Sequence, residues 1–373
     1  MLKFAIKPLW VLRDHEDGEH LLPPLIPLLG AIHETGSLAK ACEVTGQSYR
    51  HAWGLLQEAR QVFGAPLVAS TRGRGASLTG LGDKLLWADK RIHARLGPTL
   101  EALASEIEAE LERASPDSRG VLRIHASHAF ALTALRDFLA RRHVPVEISY
   151  QGSSDALASL HHAGCDAAGF HVPIGELASS VLPLYGKWLK PGVHVLVNVV
   201  ERRQGIIVAA GNPKGITSIS DLARPGIRFV NRQPGSGTRI ILDLLLAKER
   251  IAERRIEGYD RQEYTHAAVA AHIASGMADA GLGVETAARQ FHLGFVPLLN
   301  ERYFLAVRRE ALDSPLFERV LAAMRSREFR AQIVKLQGLD PGPCGTIQEV
   351  ADALPALAPR ARRPRRKAVK TAA

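Results

Sequence analysis

The chain reads as an α+β multidomain protein: a small helical head closing on a β-hairpin, one long helix, then a larger α/β domain. Three observations predict this. Apolar residues recur at helical spacing around glycine turns up to residue 64, an unbroken helical period follows from 79 to 113, and beyond 120 short apolar runs alternate with helical stretches. A length of 373 residues exceeds one ordinary core, and 46% hydrophobic residues can fill several. No apolar run reaches the roughly 18 residues of a membrane span.

Taken in order, residues 1–20 are expected to hold a strand or an irregular lead-in, with no basic start, apolar stretch and small-residue cleavage site of a signal peptide. Leu25–Glu34 is an apolar helix that starts after Pro23-Pro24 and stops at Thr35-Gly36. Ser37 is a good N-cap for a second helix through Val44. Thr45-Gly46-Gln47 is a turn, and Ser48 caps a third helix running to about Phe63. Two short β-prone pieces, Leu67-Val68-Ala69 and Ala76-Ser77-Leu78, then flank Thr71-Arg72-Gly73-Arg74-Gly75, a hairpin with a basic tip.

The spacing from Ser37 to Trp53 matches a helix-turn-helix. Small Cys42 stands where the helices cross, Gly46 where positive φ is needed, and Ala52 at the buried contact one helix later. Ser48, Tyr49, Arg50 and His51 then lie at the exposed start of the second helix of the pair, the part that enters a major groove. Arg50 can fork onto a guanine edge or a phosphate, and Arg72 and Arg74 can reach the backbone as a wing. The same spacing also suits a packed hairpin that touches no DNA. The basic wing and the long helix in sequence after it weigh toward a DNA reader.

From Thr79 to Arg113, Leu85, Ile92, Leu96, Leu100, Leu103 and Ile107 mark one stripe, with a bend expected at Gly97-Pro98. A second copy of the chain is the simplest cover for that stripe. Ser115-Pro116-Asp117-Ser118 is a linker. The domains are accordingly expected at 1–80, 81–118, 119–345 and 346–373. The last of these is a disordered basic tail carrying Arg360, Arg362, Arg363, Arg365, Arg366, Lys367 and Lys370, which supplies most of the net charge of +10. It either grips phosphates or solubilises the end.

In the α/β part, the runs VLRIHAS, VEISYQGS, DAAGFHV, GIIVAAG, IRFVNRQ, ADAGLGV and FLAV read as buried strands of a mainly parallel sheet. The richest site signal is FVNRQPGSGTRIILDLLL. Asn231, Arg232, Gly235, Ser236, Gly237, Thr238 and Arg239 form a polar glycine loop that opens an apolar helix, an anion site built from free N–H groups, hydroxyls and charge. The GK[ST] ending of a nucleotide loop is missing. Ser127 and His128, and Ser153 and Ser154, stand at two further strand ends, where they serve a ligand crevice or merely cap helices. His171 lines the crevice or fills a turn. The spacing of His125 and His128 is metal-like, but on a strand end they point apart. Cys42, Cys165 and Cys344 form neither a ligand cluster nor a disulfide set, which fits a reducing cytoplasm. No catalytic residue, metal or cofactor is expected, and no nucleophile–base pair shows at short spacing.

GSLAKACEVTGQSYRHAWGLLQEA followed by PLVASTRGRGASLTGLGDKLL resembles the winged helix-turn-helix of the molybdate-responsive regulator ModE and, more loosely, that of LysR-type regulators. The resemblance covers roughly residues 20–113. It implies a homodimer, with a tetramer left open, on a two-fold-related double-stranded operator, with Lys40 and Ser37 beside the DNA backbone. GIIVAAGNPKGITSISDLARPGIRFVNRQPGSGTR and GYDRQEYTHAAVAAHIASGMADAGLGVETAAR resemble the type II periplasmic-binding-protein fold over roughly 120–335, in its cytoplasmic form related to molybdate-binding proteins. That implies two lobes closing on a small anion: molybdate, tungstate, or a carboxylate such as formate. Val193–Val200 and Gly205–Ala210 would carry the crossover, and Phe295–Arg308 the return. No repeated small barrel of ModE is present. The resulting expectation is a cytoplasmic, ligand-responsive transcription regulator and not an enzyme. The alternatives are a solute-binding protein for an oxyanion and an enzyme acting on a molybdopterin-type substrate.

Overall fold

A computed structural model describes residues 4–13, 19–21, 24–71, 75–115 and 120–358. The wing-tip residues Arg72 and Arg74, the linker residues 116–119 and the basic stretch from 359 lie outside the described residues. The chain divides into two compact units, Met1–Leu111 with Arg203–Leu298, and Glu112–Arg202 with Leu299–Ala373. No helix among the described residues is long and apolar enough to cross a membrane.

The lead-in holds two short antiparallel strands, β1 (Val11–Arg13) and β2 (Glu19–Leu21). The head follows with α1 (Leu25–Thr35), α2 (Leu38–Thr45) and α3 (Tyr49–Phe63), then the antiparallel pair β3 (Val68–Thr71) and β4 (Gly75–Leu78). Its core is the apolar face of each helix, including Leu28, Leu29, Ile32, Ala41, Ala52 and Leu56. The helix ends lie within a residue of those the sequence predicts, because capping chemistry sets them. Next comes α4 (Gly80–Ala114), helical through Pro98, where a bend was expected. Its first turns pack on the head through Leu81 and Leu85, while Leu96, Leu103, Ile107 and Leu111 are exposed along it.

The second unit begins with β5 (Leu122–Ala126), α5 (Phe130–Arg141), β6 (Val146–Tyr150), α6 (Ser153–His161), β7 (Ala167–Pro173) and α7 (Ala178–Tyr185). β5 pairs in parallel with both β6 and β7. Then β8 (His194–Val208) carries the chain into the first unit as one continuous strand. The sequence shows two apolar pieces there because Glu201, Arg202, Arg203 and Gln204 interrupt the pattern. Arg202 is tolerated inside because Glu301, equally buried, accepts from its Nε at 2.8 Å.

In the first unit the strand order is β10–β9–β11–β8. It is built from β9 (Phe229–Arg232), α8 (Gly237–Lys248), β10 (Gln262–Glu263), α9 (His266–Ala274), β11 (Ala280–Val284) and α10 (Glu285–Gln290), before β12 (Gly294–Arg308) leads back. β9 is parallel to β10 and β11. β11 is antiparallel to β8, and β12 to β7, so the sheet is mixed where a mainly parallel one was expected. The two long crossover strands cause the difference.

The return adds α11 (Pro315–Arg325), α12 (Arg327–Val334), β13 (Leu339–Asp340), β14 (Ile347–Glu349) and α13 (Val350–Ala353). The sequence reading put the tail at 346, but residues 347–357 are folded. Ile347 pairs with Val197 of β8, and Val350 and Leu354 are buried.

Within the first unit, α4 docks on the 203–298 segment. Arg95 Nε donates to both carboxylate oxygens of Glu263, at 3.1 and 2.8 Å. Glu263 is 1% exposed and also lies 3.2 Å from His272 Nδ1. Thr265 Oγ1 donates to the Ala94 carbonyl at 2.8 Å, and Trp87 stacks on Phe291. Burial pushes the Glu263 carboxyl up, but hydrogen bonds from His272 and Arg95 outweigh it and hold the carboxyl below its usual range. A depressed carboxyl stabilises the fold above its unfolded value, about 4.3, and loses that contribution as pH falls through the folded value. Arg95→Met should therefore cost about 2–3 kcal/mol in urea denaturation at neutral pH, by stranding a buried carboxylate. The melting-temperature gap to wild type should narrow as pH drops from 6 to 3. A gap independent of pH would separate Arg95 from this ion pair.

Candidate functional site

The start of α3 is built as a helix-turn-helix requires. Gly46 has φ 67° and closes α2 by donating to Cys42 and Glu43 carbonyls, a conformation a side chain would strain. Cys42 and Ala52 are buried at the crossing. Ser37 Oγ accepts from Lys40 N at 3.4 Å, and Ser48 Oγ accepts from His51 N at 3.2 Å, so both serines cap their helices. Lys40, Tyr49, Arg50 and His51 are exposed. Trp53, which the sequence reading used only to end the motif, is 47% exposed one turn beyond Tyr49, itself 57% exposed. Two large aromatics thus face solvent at the start of α3 and take little part in the core of the head.

In the second unit, Ser127, Ser153 and His171 come together. Ser153 Oγ donates to Ser127 Oγ at 3.3 Å, and Ser127 Oγ lies 2.9 Å from His171 Nδ1. Ser127 either donates to Nδ1 or accepts from it, according to which ring nitrogen of His171 carries the proton. This is the serine–histidine neighbourhood that short spacing cannot reveal, since 44 residues separate the pair. Neither serine is an N-cap: α5 is preceded by Ala129 and α6 by Gly152. Two tyrosines hold the cluster. Tyr303 OH donates to the Ser127 carbonyl at 3.1 Å and its ring covers His171 at 4.3 Å; Tyr185 OH donates to the His171 carbonyl at 3.0 Å. A Cβ on Gly169 would stand 2.1 Å from the Tyr303 hydroxyl, so only glycine admits it. Burial pushes both phenols up, and they stay donors across the physiological range.

His128 instead packs edge-on against Phe130 and Tyr150, and Ser154 stands half-buried beside Ser153. His125 Nδ1 lies 2.7 Å from Ser159 Oγ, and burial lowers its basicity. Among the described residues no three His, Cys, Asp or Glu side chains cluster as metal ligands.

In the first unit the polar loop does open α8. Ser236 Oγ accepts from Arg239 N at 3.2 Å, Gly235 takes φ 79°, and Thr238 is buried. Above Gly237 an added Cβ would meet nothing within 4 Å, so the backbone there is open to close approach. Most charged and amide groups of the loop have internal partners, and the buried Arg239 Nη1 has none among the described residues. Asn231 Nδ2 donates to the Tyr259 carbonyl, and Arg232 donates to the carbonyls of Glu263 and Tyr264. Arg239 pairs with Asp243 and lies over the Tyr259 ring. Gln204, which no sequence motif marks, is a fully buried amide on β8 that faces Thr238 Oγ1 at 3.5 Å.

A family model described as a PBP superfamily domain matches residues 136–325. An uncharacterized Bacillus subtilis protein, YvgK, is 30% identical over 256 residues, 65% of this chain and 79% of its own. The molybdenum-pterin-binding protein MopB of Rhodobacter capsulatus is 33% identical over 89 residues, 23% of this chain and 33% of its own. Among solved structures, a hydrogen-peroxide-bound mutant of Corynebacterium glutamicum OxyR is 15% identical with a TM-score of 0.43, covering 83% of this chain and 93% of that one.

The capping geometry separates structural from contacting residues on α3. Ser48→Ala should cost about 1 kcal/mol in denaturant unfolding. Arg50→Ala should leave stability within about 0.5 kcal/mol. A comparable loss in Arg50→Ala would make its side chain a packing element.

Proposed function

The chain belongs to the PBP superfamily domain family, and from that premise we propose that it is a ligand-responsive, DNA-binding transcription regulator whose sensor takes a small anion. The observation that carries this reading is the pairing, in one chain, of that family's domain with a capped helix-turn-helix whose α3 exposes Tyr49, Arg50, His51 and Trp53. Arg50 and His51 read base edges or phosphates in the major groove, and Lys40 holds the backbone. Arg72 and Arg74 act from the wing. A second copy covers the exposed Leu96, Leu103, Ile107 and Leu111 of α4, giving a dimer for a two-fold-related operator. The protein acts in the cytoplasm, where that operator is.

Two sets of donors favour an anion: the Ser127–Ser153–His171 cluster, and the start of α8 with Ser236 and Thr238. Molybdate or tungstate is the first candidate, supported by the partial likeness to a molybdenum-pterin-binding protein, and formate suits the same donors. Ligand binding shifts the balance of conformations only by its unequal affinity for them, and through α4 changes how the dimer presents its two heads.

Duplex DNA selected by the protein from a random pool provides the assay. Arg50→Ala should weaken binding to the selected sequence about 10- to 100-fold in fluorescence anisotropy, equivalent to about 1–3 kcal/mol. Ser236→Ala with Thr238→Ala should bind that DNA normally, yet lose the anion-dependent change and the anion-dependent rise in melting temperature. Unchanged affinity in Arg50→Ala removes α3 as the reading helix, and a retained anion response in the double variant removes the α8 loop from the sensor.

A further inference from the structure

α3 carries a glycine where its own packing has no use for one. Gly54 lies inside the helix, away from both caps, with ordinary helical backbone. A Cβ added there would meet nothing within 4 Å. Gly82 of α4 shows the contrast: a Cβ there would stand 2.2 Å from the Leu67 carbonyl oxygen, so the fold requires glycine. Glycine inside a helix surrenders more backbone entropy than alanine, a factor of about two to five in the local folding equilibrium. At Gly54 the head bears that cost and gains no packing from it.

Its place on the helix supplies a reason. Successive side chains of an α-helix turn by about 100°. Ala52, Leu56 and Ala59 are buried and mark the inner face of α3. Gly54 falls opposite that face, on the outermost ridge, one turn after Arg50 and one turn before Glu58, and all three are exposed. The surface there is concave: a hollow of about 510 Å³ is lined by Ser48, Arg50, His51, Gly54, Leu55 and Glu58. A helix laid in a major groove meets base edges first with its outermost ridge, and a side chain on that ridge holds the rest away. From residue 36 to 78 the head has five Lys and Arg against Glu43 and Glu58, a balance that suits the phosphates along such a groove.

We propose that Gly54 is a specificity-determining position, the point where the bare backbone of α3 stands against a base edge on the groove floor while Arg50 forks onto a neighbouring one. This rests on the DNA-reading role of α3 proposed above and deepens it. Bulk at residue 54 would lift the helix. The Arg50 hydrogen bonds would then stretch past the roughly 3.2 Å at which such bonds are made. The glycine thus trades helix stability for depth of approach.

The test pairs two measurements on the full chain and its Gly54→Ala, Gly54→Leu and Arg50→Ala variants: melting temperature, and affinity for the duplex that wild type selects from a random pool. Both Gly54 variants should melt at or above the wild-type temperature, since alanine and leucine are strong helix formers and the space is open. Gly54→Leu should weaken binding to the selected DNA about as much as Arg50→Ala, 10- to 100-fold, and Gly54→Ala by a smaller factor. A packing role cannot raise stability and lower affinity together. Wild-type affinity in Gly54→Leu overturns the assignment, and a weakened Arg50→Ala beside it leaves α3 as the reading helix. Melting below wild type in both Gly54 variants also overturns it, by giving the glycine a part in the fold. A wild-type chain that selects no sequence, or full affinity in Arg50→Ala and Gly54→Leu alike, overturns the DNA-reading role itself.

Discussion

A carboxylate removed from water must be answered by positive charge or hydrogen bonds, and Glu263 is the place in the first unit where that constraint acts most strongly. Its partners come from two directions. His272 belongs to the α9 layer of the same lobe, while Arg95 reaches in from the long helix that follows the helical head. The ion pair therefore fixes α4 against the lobe, with the Thr265–Ala94 hydrogen bond and the Trp87–Phe291 stack to either side. Each contact alone is modest. Together they make the head helix and the lobe a single packed body, as the division of the chain also indicates.

The same residue adjoins the proposed sensor loop. Glu263 pairs with Arg232 across β10 and β9, and the Arg232 guanidinium holds the carbonyls of Glu263 and Tyr264. From Arg232 the chain passes directly through Gly235 to the start of α8. An anion at that helix start would thus act on a segment continuous with β9, the strand paired with the one that anchors Arg95. This is a contiguous physical connection of the kind a two-state response can use, and it is what makes the internal bonding of Arg232 relevant to regulation. The charge of Arg232 belongs to that framework, whereas the helix start holds backbone N–H groups, the hydroxyls of Ser236 and Thr238, and the buried Arg239 Nη1, which has no hydrogen-bond partner among the described residues.

Hydroxyl groups show how one residue type is put to different uses. Ser37, Ser48 and Ser236 satisfy backbone N–H groups at helix starts, as their positions in sequence announce. Ser127 and Ser153 sit in the same kind of sequence context, just after strands, yet bond each other and His171. The difference comes from Tyr303, Tyr185 and Gly169, which bring the three together from β12, α7 and β7.

Sequence alone determined what is local. Helix limits in the head followed from Ser37, Gly46 and Ser48; the strands of the α/β part followed from their apolar runs; and the glycine loop at the start of α8 followed from its polarity before an apolar helix. These are short-range effects of capping, φ preference and periodicity, and one stretch of chain contains all the information. Tertiary structure decided the rest. It joined two apolar runs into β8 by answering Arg202 with Glu301, and it folded Ile347–Leu357 onto that strand. It also set Gln204 against Thr238, and Arg95 against Glu263. Each of these depends on a partner tens to hundreds of residues away, whose burial turns a polar side chain into a structural group.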